Sequence, residues 1–147
     1  MNRLLAVLAL GALVATTASP AAASTCSDPV FENAALAALA QRNQAIGDAY
    51  AGDYASAKAD VFIGWRVTID ARRPCNLQLR TLRKHLLGNL GALWLSYAAM
   101  AAGDLTDGLA FLVAASKEAV LANAAVASLV STRRVTGAVT RAQPRLS

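Results

Sequence analysis

"VFIGWRVTID", residues 61–70, can be read in two ways, and the choice sets the fold class. Val61, Ile63, Trp65, Val67 and Ile69 alternate with mostly polar neighbours, as in a half-buried strand. Val61, Trp65 and Ile69 also recur at four-residue steps, as on one face of a helix. A strand needs a partner, because unmatched backbone N–H and C=O groups are costly to bury. The chain offers no second strand candidate, so the helix is favoured, and Pro74 stops it either way.

The segments on both sides read as helices too. Upstream, Asp28 as N-cap with Pro29 at the first helical position opens a helix whose inner stripe is read as Leu36, Leu39, Asn43, Ile46 and Tyr50. Gly52 ends it, and Asp53 caps a second helix that begins with Tyr54, Ala57 and Val61. Downstream, Asn76 caps a third helix carrying Leu79, Leu82, Leu86, Leu90, Leu93, Tyr97 and Met100 on one side, with Gly88-Asn89 expected to kink or divide it. Gly103 ends that helix. Asp104 or Thr106 caps the last one, whose inner stripe starts with Leu105, Leu109, Leu112, Ser116 and Val120 and which is expected to end near Ser131. Alanine is abundant and aromatic residues are only 5% of the chain, a composition that suits closely packed helices. The fold expected is all-α: a small antiparallel bundle of about four helices over residues 24–132, followed by a basic, poorly ordered tail over 133–147.

The N-terminal residues "MNRLLAVLALGALVATTASPAAAS" have the parts of a secretory signal peptide. Arg3 is the positive start, Leu4 to Ala15 the apolar stretch, and Ala21-Ala22-Ala23 the small residues before a cut expected after Ala23. The chain is therefore expected to be exported, to the periplasm or beyond. Removal of 1–23 takes away Arg3 alone of the fourteen Lys and Arg, leaving thirteen against nine acids. In an oxidising compartment Cys26 and Cys75 are expected to form a disulfide. That bridge agrees with an antiparallel topology, which brings the start of the third helix back beside the start of the first. Neither cysteine has a Cys or His at a metal-ligand spacing, and no motif in the chain implies a cofactor.

Charge is unevenly placed. Six acids against three bases lie between Ser24 and Asp70, whereas Ala71 to Gly103 holds five bases and no acid. Those five are Arg72, Arg73, Arg80, Arg83 and Lys84. On a helix Arg73, Arg80 and Lys84 fall near one face with Arg83 beside it, while Leu79, Leu82 and Leu86 turn away. Such a strip is either a solvated face or a contact for an acidic protein or another anionic surface. Aromatic residues for stacking on bases are missing from it and no DNA-reading motif accompanies it, so nucleic acid is disfavoured as the partner. "LLGNLGALWLSYAAMAA", residues 86–102, carries no charge and reads either as a buried core helix or as a membrane-inserted one.

His85 is the only histidine. A catalytic role for it needs a nucleophile or an orienting acid from elsewhere in the chain, and no nucleophile elbow, His-Glu-x-x-His or phosphate loop is present. No catalytic residue is assigned.

Two turns are alike. Gly52-Asp53-Tyr54 with Ala57, and Gly103-Asp104-Leu105 with Gly108, place the same pattern between consecutive helices. The pattern resembles tetratricopeptide-type helical hairpins, in which Gly-Asp-Tyr opens the second helix and a small residue three positions on allows close packing. The two Gly-Asp pairs are 51 residues apart, rather than the 34 of that family, and the large aromatic of its first helix is missing. The resemblance implies protein or peptide binding. The sequence thus points to a non-catalytic binding or structural module, with a membrane-associated protein as the alternative and an enzyme centred on His85 as the third reading.

Overall fold

The computed structural model describes residues 26–142, and the side chains of 26–133. The expected signal peptide, 1–23, lies outside the described residues, as do 143–147. Four helices follow one another: α1 (Asp28–Tyr50), α2 (Tyr54–Asp70), α3 (Leu77–Ala101) and α4 (Leu105–Ala142). The chain is an all-α bundle, with no strand among the described residues, and 61–69 is helical throughout. The helix at 77–101 is undivided across Gly88-Asn89. The last helix does not stop near Ser131 but runs on to Ala142, into the segment read as a tail.

Both Gly-Asp turns are built in the same way. Gly52 and Gly103 take positive φ angles of 82° and 84°, a conformation a side chain would strain. The Gly52 amide donates to the Ala49 carbonyl and the Asp53 amide to that of Asp48. The Gly103 amide likewise donates to Met100 and the Asp104 amide to Ala99. These are Schellman closures, which satisfy the last carbonyls of α1 and α3. The two aspartates then cap the next helices, Asp53 accepting from the Ser56 amide and Asp104 from the Asp107 amide, each at 3.0 Å.

The core stripe of α3 is the one the sequence predicts, with Leu79, Leu86, Leu90, Leu93 and Tyr97 all buried. The stripes of α1 and α4 are not. In α1 the buried residues are Phe31, Ala35, Ala38 and Ala45, while Leu36 is 67% exposed and Tyr50 90% exposed. Among the α4 residues whose side chains are described, the buried ones are Gly108, Ala115, Ala122 and Ala125, while Val120 is 66% exposed and Leu105 and Leu109 are also turned outward. Small residues win the inner face because they let the backbones approach. A Cβ on Gly64 would lie 3.1 Å from the Ala38 carbonyl oxygen at the α1–α2 crossing. One on Gly108 would lie 3.3 Å from the Ser96 carbonyl oxygen between α3 and α4. At such spacing a leucine does not fit without overpacking.

Polar side chains join α3 to α4 as well. Asn89 Nδ2 donates to the Ala115 carbonyl at 2.8 Å and Ser96 Oγ to the Gly108 carbonyl at 2.7 Å, both buried. Leu86, Leu90, Leu93 and Tyr97 are buried around them, so residues 86–102 form the central core helix. Helix α2 packs on α1 and α3, and α4 packs on α3 alone among the described residues. Helices α1 and α4 therefore diverge, and an open groove of about 460 Å³ runs between them over α3. An Arg133–Glu32 ion pair links the two helices at one end.

One feature of the α1–α2 hairpin is sensitive to pH. Burial pushes the Asp60 carboxyl above its usual range, and the neighbouring Asp48 carboxyl, within hydrogen-bond contact, pushes it in the same direction. The folded protein then holds the proton more tightly than the unfolded chain, so this site loses stability as pH rises through the carboxylate range. Asp60→Asn is expected to raise the thermal midpoint at neutral pH, with the gain disappearing below about pH 4, the unfolded range for Asp. Thermal unfolding of both proteins across pH 3–8 measures this; a gain independent of pH contradicts it.

Candidate functional site

The starts of α1 and α3 are clasped together. Cys26 and Cys75 form a disulfide with their Cα atoms 5.2 Å apart, closing a span of 49 residues. Loop closure of that length contributes about 4 kcal/mol in the chain-entropy model. Cys26 and Arg73 pair as an isolated parallel bridge, in which the Ser27 amide donates to the Arg73 carbonyl at 2.8 Å. Ser27, not Asp28, occupies the N-cap position of α1. The Asp28 carboxylate reaches across instead: one oxygen accepts from the Cys75 amide at 2.6 Å and from the Asn76 amide at 2.9 Å. Asn76 caps α3, its side chain accepting from the Gln78 and Leu79 amides. Pro74 is fully buried beneath the clasp.

Beside this clasp the chain forms a basic recess of about 650 Å³, lined by Cys26, Pro74, Arg73, Arg80, Arg83 and Lys84. Four of the five predicted basic residues thus come together in one concavity. Arg72 is the exception: it is exposed on the α2–α3 connection but does not line the recess. Two of the four are held by backbone oxygens. Arg80 Nε donates to the Pro74 carbonyl and Arg83 Nη2 to the Ile69 carbonyl, each at 3.0 Å. The latter bond satisfies a carbonyl in the last turn of α2, where a cation also suits the helix dipole. The Arg83 Nε is buried without a partner. Among the described residues no carboxylate lines the recess. The acids nearest in sequence are engaged elsewhere, Asp28 by the clasp and Asp70 by an ion pair with Arg66. The result is a concave surface lined by four cationic side chains beside a covalently closed frame.

His85 does not join this recess. Its Nδ1 lies 2.7 Å from Oε2 of Glu118 on α4, in a partly buried ion-pair geometry. Gly88 makes room for that carboxylate, since a Cβ there would come within 2.9 Å of the Glu118 carboxyl carbon. The pair joins α3 to α4. Among the described residues no group of three or more His, Cys, Asp and Glu is placed to hold a metal.

Two of these contacts escaped the sequence reading. The role of Asp28 was masked by its position, since an acid before Pro29 at a helix start fits an N-cap so well. Glu118 carries no motif of its own; its place three residues after Ala115 and four before Ala122, both buried, is the available signal. No protein-family model, curated protein or solved structure matches the chain.

Removal of the Asp28 carboxylate tests the clasp apart from its disulfide. Asp28→Ala leaves two amides without their acceptor and is expected to cost about 1–3 kcal/mol in denaturant unfolding. Hydrogen exchange is expected to speed up at the Cys75 and Asn76 amides first. Unchanged protection at those two positions contradicts the assignment.

Proposed function

We propose that this is an exported, non-catalytic helical module that holds an acidic segment of a partner protein in the basic recess beside the disulfide. The observation that carries the reading is the gathering of Arg73, Arg80, Arg83 and Lys84 around one concavity with no carboxylate in its lining among the described residues. A solvated charge run would leave such side chains dispersed, with acids interspersed among them. Here two guanidiniums are pre-positioned by backbone carbonyls, which lowers the entropy lost when an anion binds. Export is supported by the signal-like N-terminus together with the disulfide, which persists in oxidising compartments. The binding reading does not involve His85, which lies outside the recess lining and pairs with Glu118.

A second reading rests on a different surface. Helix α4 turns Leu105, Leu109, Val113 and Val120 outward, and its stretch Leu105–Arg133 is long and apolar enough to cross a membrane by length and composition. Only 17% of its most apolar window is buried in the bundle. Exposed apolar surface of this extent marks an interaction site. A membrane-associated protein would then use α4, and not the α3 segment Leu90 to Met100, as the inserted element, since α3 is the core.

Arg73 and Lys84, which make no side-chain hydrogen bond among the described residues, provide the cleaner test. Arg73→Gln with Lys84→Gln is expected to weaken binding of an Asp/Glu-rich peptide about tenfold, each exposed ion pair contributing about 0.2–1 kcal/mol. The thermal midpoint should stay unchanged, and affinity should fall with added salt. Equal affinity of the double variant and the parent rules the recess out. Flotation of the mature protein with neutral phosphatidylcholine vesicles, resistant to high salt and lost on Leu109→Glu with Val113→Glu, would favour the α4 reading instead.

A further inference from the structure

The groove between α1 and α4 has a charge problem that the bundle leaves open. Its walls and floor are mainly apolar, with Ile46, Leu93, Met100 and Leu112 among its lining residues. Arg42 also lines it, with its Nε buried and without a hydrogen-bond partner. No carboxylate lines the groove, and Arg42 forms no ion pair among the described residues. The guanidinium instead neighbours tyrosines. Burial pushes the buried Tyr97 hydroxyl above its usual range, the Arg42 charge opposes that rise, and Tyr50 adds to it. A cation beside a mainly apolar slot whose lining holds no carboxylate is stabilised by an anionic group that enters the slot.

We infer that this groove is a ligand site for a small amphipathic monocarboxylate, the carboxylate on Arg42 and the apolar body along Leu93, Met100 and Leu112. The volume, about 460 Å³, lies in the range of small-molecule sites. A single guanidinium matches a single negative charge, and its planar fork matches a carboxylate. The opening exists because α4 packs on α3 and leaves α1. The small residues Ala115, Ser116 and Ala119 on the α4 side and Ala49 on the α1 side keep it from being filled by the protein's own side chains. The site is separate from the basic recess and does not depend on the function proposed for it.

Decanoate and decanol, titrated into the disulfide-bonded protein below micellar concentration, separate charge recognition from plain apolar partition. Decanoate is expected to bind saturably with one site per chain, and decanol about tenfold more weakly. Arg42→Gln should abolish that preference, while Arg73→Gln with Lys84→Gln should leave it intact. Ala119→Trp narrows the groove while leaving Arg42 in the chain and should block both ligands, so the inference stays testable if the Arg42 variant folds poorly. Amide shifts on binding should centre on Leu93, Tyr97 and Leu112. Absence of saturable decanoate binding, equal binding of decanol, preference lost with the recess variant instead of Arg42→Gln, or a concentration-dependent dimer that excludes decanoate would each overturn it.

Discussion

The clasp that ties the start of α1 to the start of α3 is the constraint on which the rest of the molecule depends. Three kinds of bond act within a few residues: the Cys26–Cys75 disulfide, the Ser27-to-Arg73 backbone hydrogen bond, and the Asp28 carboxylate on two amides. Together they fix α1 and α3 at one end, so that α2 is held between them and its last turn comes within reach of Arg83. A domain with so few large buried side chains gains much from such closure, because shortening the accessible ensemble of the unfolded chain stabilises the fold without adding core volume. The same clasp brings Cys26, Arg73 and Pro74 to the lining of the basic recess, so stability and the recess share a single origin.

Close backbone approach is the second organising effect, and it explains why so much apolar surface stays outside. Where alanine and glycine take the inner faces of α1 and α4, the leucines and valines of those helices have nowhere to go but outward. Helix α4, at 38 residues against 25 in α3, is about 20 Å longer than the helix it packs on at a rise of about 1.5 Å per residue. Its inner face is matched to α3 by Gly108, Asn89 and Ser96, not to α1, and the groove with Arg42 is the space that remains.

Much of this was readable from residue order. Turn chemistry was the most legible: Gly52-Asp53, Gly103-Asp104 and Asn76 each act as read, because positive φ and N-cap hydrogen bonds are local properties. The disulfide and the α3 stripe were legible for a similar reason, the first from the pairing of two cysteines and the second from leucines with no small residues competing for the same face. The stripes of α1 and α4 were misread because size was taken as a guide to burial. In an alanine-rich helix the packing distance decides, and the face that permits the shortest distance wins. The basic residues were legible as a cluster, yet their gathering into a recess depends on long-range partners, Pro74 and Ile69 carbonyls and Cys26, which sequence spacing does not reveal. Arg42 carried no local signal at all, since its meaning comes from the divergence of α1 and α4.

The most direct measurement is titration of an acidic peptide into the oxidised protein and into the same protein after thiol reduction, at a temperature where circular dichroism shows the helices retained in both. Opening the disulfide should loosen Cys26 and Arg73 while leaving every recess charge in the chain. Saturable binding by the oxidised form, weakened about tenfold or more on reduction and in both cases by salt, is the expected result. Equal affinity in the two redox forms would contradict the claim that the clasp builds the recess, and no saturable binding in either would remove the recess as the functional surface.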